Sequence, residues 1–301
     1  MKMNNNGIFE LHMKDNGPLR LALFTDLHYN GFAPCSAALT NQLMRRNVRK
    51  LKPDLIAVLG DTAIKPDNRG RTRAFVRTMD AMGIPWTAVL GNHEGEHDDD
   101  LPRREVIEYY TASEQFLGSA ELPGVTGCGN QAVAIINEAG NAAQLLYFLD
   151  SGGGRKGHGH IQPDQLDWMA RVASNYPGTP GSIFLHVPIQ QYQDAYEASQ
   201  TGEAQLLHGA LHEKICPGGT REQGEALLKR AEELGIWAIV CGHDHYNNFD
   251  ISWRGMRYIY AQASGYSFRV YGIPLRRVRG CTALDIYPNC KVELTQHLNI
   301  N

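Results

Sequence analysis

Residues 236–245 read Ile236-Trp237-Ala238-Ile239-Val240-Cys241-Gly242-His243-Asp244-His245. An unbroken apolar, partly β-branched run suits a strand buried on both faces. Here the run ends in glycine and two imidazoles follow at once, so the strand delivers possible metal ligands to its carboxyl end.

Four more stretches repeat the arrangement. Residues 19–24 lead to Asp26-Leu27-His28, residues 54–59 to Gly60-Asp61, residues 86–90 to Gly91-Asn92-His93, and residues 182–185 to His186. Side chains placed just beyond the carboxyl ends of neighbouring strands converge on one rim, the usual place for chemistry in open α/β sheets. Two aspartates, one asparagine and four histidines (Asp26, Asp61, Asn92, His28, His186, His243, His245) exceed the roughly three protein ligands of a lone catalytic zinc. They suit two divalent ions about 3.5–4 Å apart, with Asp61 able to bridge them. Imidazole and oxygen donors without thiolate fit manganese, iron, zinc or cobalt and do not choose among them.

In order and spacing, the series Asp-x-His, Gly-Asp, Gly-Asn-His-Glu, His, Gly-His-x-His resembles the calcineurin-like metallophosphoesterase superfamily, with the likeness running from Asp26 to His245. It implies one ion held by Asp26, His28, Asp61 and His245, and a second held by Asp61, Asn92, His186 and His243. His93 would contact the phosphoryl oxygen and serve the leaving group, and a metal-bound hydroxide would be the nucleophile. The turns at Gly91-Asn92-His93-Glu94 and at residues 242–249 are most similar to the small purple-acid-phosphatase-related group. Purple enzymes carry a tyrosine three residues after the bridging aspartate, where this chain has Ile64, and they have no ligand at the position of His28. A divalent pair without a coloured phenolate is therefore expected. Protein phosphatases of the superfamily place an aspartate at the position of Ile64 to orient the catalytic histidine. Asp67 is the nearest substitute in the sequence, and the orienter of His93 stays open.

The resemblance implies a metal-dependent phosphoric ester hydrolase, most readily a phosphomonoesterase acting on a small phosphorylated molecule. A phosphodiesterase acting on nucleotide or lipid headgroup esters is the alternative, and a non-catalytic interaction scaffold is a third reading. Three further features bear on substrate. The loop Ser151-Gly152-Gly153-Gly154-Arg155-Lys156-Gly157-His158 offers Arg155 and Lys156 to a phosphate. The arginines at 69, 71, 73 and 77 suit a solvated helix face. The run Gly95-Glu96-His97-Asp98-Asp99-Asp100 suits a cation or the start of a helix.

Composition fits an enzyme with a large core. The chain has 301 residues, 43% of them hydrophobic, and 29 Lys+Arg against 32 Asp+Glu give a net charge of -3. That balance argues against non-specific nucleic-acid binding, which needs a basic face. No stretch approaches the roughly 18 apolar residues of a membrane span, and the polar residues 1–16 lack the apolar core of a secretory signal, so a cytoplasmic location is expected. Six cysteines without a Cys-x-x-Cys pair read as reduced thiols, with Cys281 and Cys290 the one pairing to check.

Residues 9–13 and 19–24, separated by Asp15-Asn16-Gly17-Pro18, read as a hairpin. Helices are expected over 36–51, 71–82, 102–116, 163–173 and 221–234, with further strands near 132–136, 144–149, 257–262, 282–287 and 292–297. This order gives one domain over 1–301, a four-layer α/β/β/α sandwich of two mixed sheets flanked by helices. An insert at 189–220, beside His186, is placed to overhang the centre and select substrate.

Overall fold

The computed structural model describes residues 8–14, 17–29, 34–64, 68–97, 100–153, 159–266, 279–289 and 291–298. Arg155, Lys156, Asp67 and Cys290 lie outside them, so the expectations placed on those residues do too. Two mixed sheets pack face to face.

The first sheet carries strands β1 (Ile8–His12), β5 (Gln131–Ile136), β6 (Ala142–Phe148), β7 (Gly181–Phe184), β9 (Ile236–Cys241), β11 (Met256–Tyr260), β10 (Asp250–Trp253) and β8 (Gln205–His208), in that spatial order. The second runs β13 (Val292–Leu298), β12 (Gly280–Ile286), β2 (Leu19–Phe24), β3 (Leu55–Leu59), β4 (Trp86–Val89). The strands β6, β7, β9 and β11 are mutually parallel, as are β2, β3 and β4. Parallel neighbours put their carboxyl ends on one rim. The two parallel blocks face each other there.

Alternation along each strand builds three apolar layers. In β3, Leu55, Ala57 and Leu59 point between the sheets, where they meet Leu21, Leu23, Val133, Phe148, Phe184 and Val240. Ile56 and Val58 point the other way, under helices α1 (Pro34–Leu51), α2 (Asn68–Asp80) and α3 (Arg103–Thr111), with Phe75, Trp86 and Tyr110 stacked edge to face. The larger sheet is covered on its outer side by α4 (Pro163–Ser174), α5 (Gln191–Thr201) and α6 (Arg221–Glu233) through Trp168, Met169, Tyr192 and Leu227. The four-layer arrangement and its two mixed sheets agree with the expectation. Period-two burial is its cause, because a strand with both faces apolar must be covered twice.

One expectation changes. β1 does not pair with β2 as a hairpin; it lies parallel to β5 at the edge of the larger sheet, while β2 is central in the smaller one. The turn residues after His12 mark a crossing between sheets instead of a tight return. The insert contributes an outer helix, α5, and an edge strand, β8, antiparallel to β10. Tyr192 fixes α5 by donating its hydroxyl hydrogen toward the Ile239 and Ile259 carbonyls at 2.7 and 3.2 Å. Only the stretch after β8 approaches the rim: the Ala210 N–H donates to Asn248 Oδ1 at 3.0 Å, and the Cys216 N–H to Asp244 Oδ2 at 3.1 Å. No helix among the described residues is long and apolar enough to cross a membrane. Cys128, Cys216, Cys241 and Cys281 are free thiols.

Candidate metal centre

Each of the five runs delivers its polar residues to the shared rim. Asp26 and His28 follow β2, Asp61 follows β3, Asn92 and His93 follow β4, His186 follows β7, and His243 and His245 follow β9. Donor atoms of Asp26, His28, Asp61 and His245 lie within 4.8 Å of one another, as do those of Asp61, His186 and His243. Asn92 joins the second group, its Oδ1 standing 3.1 Å from His186 Nε2. The two clusters share Asp61.

The turns that make this possible are strained. Asp26, His28, Asp61 and His243 have φ of 54°, 46°, 53° and 81°, the left-handed region that side chains disfavour. Glycine clears the space beside them. A Cβ on Gly91 would fall 2.1 Å from Asp61 Oδ1, and one on Gly242 would fall 2.0 Å from Thr25 Oγ1. These glycines are needed for close approach, and they explain the Gly-Asn-His and Gly-His patterns.

Each aspartate uses one oxygen for the protein and turns the other inward. Asp61 Oδ1 accepts the His93 N–H at 3.0 Å; Asp26 Oδ2 accepts the His243 N–H at 3.2 Å and lies 2.8 Å from the Thr25 hydroxyl. Asp61 Oδ2 and Asp26 Oδ1 are fully buried and have no hydrogen-bond partner. Asp61 Oδ2 stands 3.2 Å from His186 Nε2 and 3.6 Å from His28 Nε2, so this single oxygen faces both clusters. A buried carboxylate oxygen without a donor is costly unless a cation is meant to meet it. The donor set therefore fits divalent cations, with Asp61 common to both clusters.

The histidines are oriented for the same purpose. His186 Nδ1–H donates to the Leu59 carbonyl at 2.6 Å, which directs Nε2 to the centre. His28 and His245 aim their Nε2 atoms at one point, 3.0 Å apart. Burial opposes the charge of both carboxyls, yet the imidazoles of His28 and His186 beside Asp26, and of His186 beside Asp61, hold both below the usual carboxylate range. Burial likewise opposes protonation of His186, but Asp61 overrides it and pushes His186 up to about 10. His245 is pushed down to about 4, chiefly by burial.

Two acidic residues matter here that the sequence reading gave no role at the site. Glu94 is 2% exposed and ties two ligand loops together. Its carboxylate accepts the N–H groups of Asp61, Thr62 and Gly91 at 3.1, 2.6 and 2.7 Å, and the Thr62 hydroxyl at 2.8 Å. Arg103 braces the same loop by donating to the Gly91 and Glu94 carbonyls and to Asp150. Glu96, from the acidic run, reaches His93. That run opens no helix; α3 begins at Arg103. Asp98 and Asp99 lie outside the described residues. A glutamate after Gly-Asn-His was the available signal for Glu94, but its partners come from the turn after β3.

The remaining candidates sort by place. Arg69 and Arg73 meet the Tyr109 hydroxyl at 2.8 and 3.1 Å, joining α2 to α3 on the exposed surface. The glycine-rich loop begins beside the centre, since a Cβ on Gly153 would lie 2.6 Å from Asn92 Cα.

Known proteins are similar to this chain to different depths. The family described as calcineurin-like phosphoesterase matches residues 19–247. An Arabidopsis thaliana protein named "Probable inactive purple acid phosphatase 28" is 24% identical over 308 residues, covering 88% of this chain and 74% of that protein. The Saccharomyces cerevisiae protein named "Phosphatase DCR2" is 24% identical over 275 residues, covering 81% of this chain and 46% of the yeast protein. The crystal structure of a dimetal phosphatase from Danio rerio shares the fold with a TM-score of 0.65 at 15% identity, covering 94% of this chain and 98% of that one.

Proposed function

The chain belongs to the calcineurin-like phosphoesterase family, and from that premise we propose that it hydrolyses phosphoric monoesters with two divalent cations. The observation that carries the proposal is Asp61 Oδ2, a buried, unpartnered oxygen facing both donor clusters. Asp26, His28, Asp61 and His245 would hold one ion, and Asp61, Asn92, His186 and His243 the other. Two cations so held would supply Lewis-acid polarisation of a phosphoryl group and a lowered pKa for water.

This chain's own residues do the rest. Asp61 Oδ1 holds the His93 backbone, and the imidazole of His93 stands at the open side of the centre, its side chain 31% exposed and its Nε2 3.9 Å from Asp61 Oδ2. From there it meets the phosphoryl oxygen and gives a proton to the departing alkoxide. Burial works against a proton on His93, but Asp61 and Glu96 raise its pKa above the ordinary imidazole value, so the donor form persists to higher pH. Arg155 and Lys156 are proposed to bind the substrate phosphate, supported by the start of their loop against Asn92. The core between the sheets, reaching from Phe9 to Leu294, supports treating the chain as one domain.

The monoester preference takes support from the yeast relative, which is named a phosphatase. The word "inactive" in the Arabidopsis name favours a second reading, binding without turnover; against it, all seven donors and His93 are present here. The test is metal-stripped protein refilled separately with manganese, zinc, iron or cobalt and assayed on an aryl monoester and an aryl diester. Faster monoester turnover is expected, faster diester turnover would make it a phosphodiesterase, and no turnover with two ions bound would remove the enzymatic reading. On an alkyl phosphate, whose leaving group needs a proton, His93→Ala should lower kcat/KM by ~10²–10⁴-fold, the usual weight of a positioned proton donor, and leave metal content unchanged. Loss of metal in that variant would instead make His93 part of the ligand set.

A further inference from the structure

We propose that Glu96 is the positioning residue of His93, setting which ring nitrogen faces the substrate. Its kinetic consequence rests on the phosphoesterase reading; the orientation itself does not.

Three contacts define His93. Its backbone N–H is held by Asp61 Oδ1 at 3.0 Å. The face of its ring is limited by His28, edge to face with centroids 5.3 Å apart. Neither contact distinguishes Nδ1 from Nε2. Glu96 does, because its Oε2 lies 2.5 Å from His93 Nδ1. A carboxylate accepts and never donates when ionised, so Nδ1 carries a hydrogen and Nε2 is the nitrogen left to face Asp61 Oδ2, 3.9 Å away.

The same step cannot come from Ile64, three residues beyond Asp61, which has no polar side-chain atom. Glu96 lies three residues beyond His93 in the same loop, and its carboxylate also stands 3.6 Å from His97 Nε2. The His93 and Glu96 side chains are 31% and 35% exposed, so packing alone does not hold the ring. The imidazole torsion is broad and close to two-fold, and without Glu96 the ring would sample both faces. A proton donor that spends part of its time turned away is most harmful when the departing group is a strong base.

The test compares Glu96→Gln with the unaltered protein, both loaded with zinc. Ring ¹⁵N–¹H spectra should show a hydrogen-bonded Nδ1–H, assigned by its loss in His93→Ala, that shifts or exchanges away in Glu96→Gln while metal content stays the same. An unprotonated Nδ1, or a signal that Glu96→Gln leaves untouched, overturns the proposal. In the kinetic arm, Glu96→Gln should slow an alkyl phosphate roughly 10- to 100-fold, as for other residues that orient a functional histidine. It should slow 4-nitrophenyl phosphate less than about threefold, since that group departs without a proton. Equal slowing of both esters marks a merely structural role and also overturns it. Addition of Glu96→Gln to His93→Ala should cost nothing further. If the unaltered protein hydrolyses no ester, the functional reading falls while the spectra still decide the role of Glu96.

Discussion

Asp61→Asn protein is expected to bind one divalent ion per chain where the unaltered protein binds two, and to lose roughly 10³-fold or more in kcat, several kcal/mol of transition-state stabilisation. The reason is that no amide satisfies both sides of this residue. Oδ1 accepts the His93 N–H, and on the proposed reading Oδ2 would face cations between His28 and His186. If the amide oxygen takes the first duty, its NH₂ group points at the ions. If it takes the second, NH₂ opposes the N–H of His93 and the loop carrying Asn92 shifts. Either way a shared negative charge is gone from a site that is 1% exposed. Metal analysis with turnover on the better ester decides it, and two retained ions with kcat within tenfold would refute the bridging role.

Glu94→Ala should be the most damaging change at a residue outside the proposed ligand set. Four donors converge on this carboxylate, three of them backbone N–H groups of Asp61, Thr62 and Gly91. Each donor left without an acceptor in the interior costs about 1–3 kcal/mol, and the sum is reduced where water enters. A loss of about 3–5 kcal/mol is expected, the range for breaking one partner of a buried charged network. Glu94→Gln keeps one acceptor oxygen but sets its NH₂ against the donors, so it should fall between the two. Urea unfolding of the metal-free proteins measures the series. A Glu94→Ala loss below about 1 kcal/mol would mean that the two ligand loops are held together by other contacts.

The placement of the seven candidate donors was legible because each follows a buried strand and a turn that permits close approach, and both leave marks in a single sequence. Glu94 and Glu96 were not legible as supports, since their partners are set by the three-dimensional course of two turns. The position of β1 was misread for a related reason. Asp15-Asn16-Gly17-Pro18 announces a change of direction, but not whether the chain returns beside itself or crosses to another sheet. α5 was hidden in the insert because its buried face is made of Tyr192, Ala195 and Ala198, mostly too small to stand out as apolar. β8 was hidden for the opposite reason: its residues are largely exposed, with Leu206 at 42%, and an edge strand without a covered face writes no run.

Four of the proposed ligands sit in backbone conformations that cost a side-chain-bearing residue on the order of 1 kcal/mol apiece. Asp26 and Asp61 return part of that cost by accepting the His243 and His93 N–H groups. The rest is, on the proposed reading, stability set aside so that the donors can converge on cations.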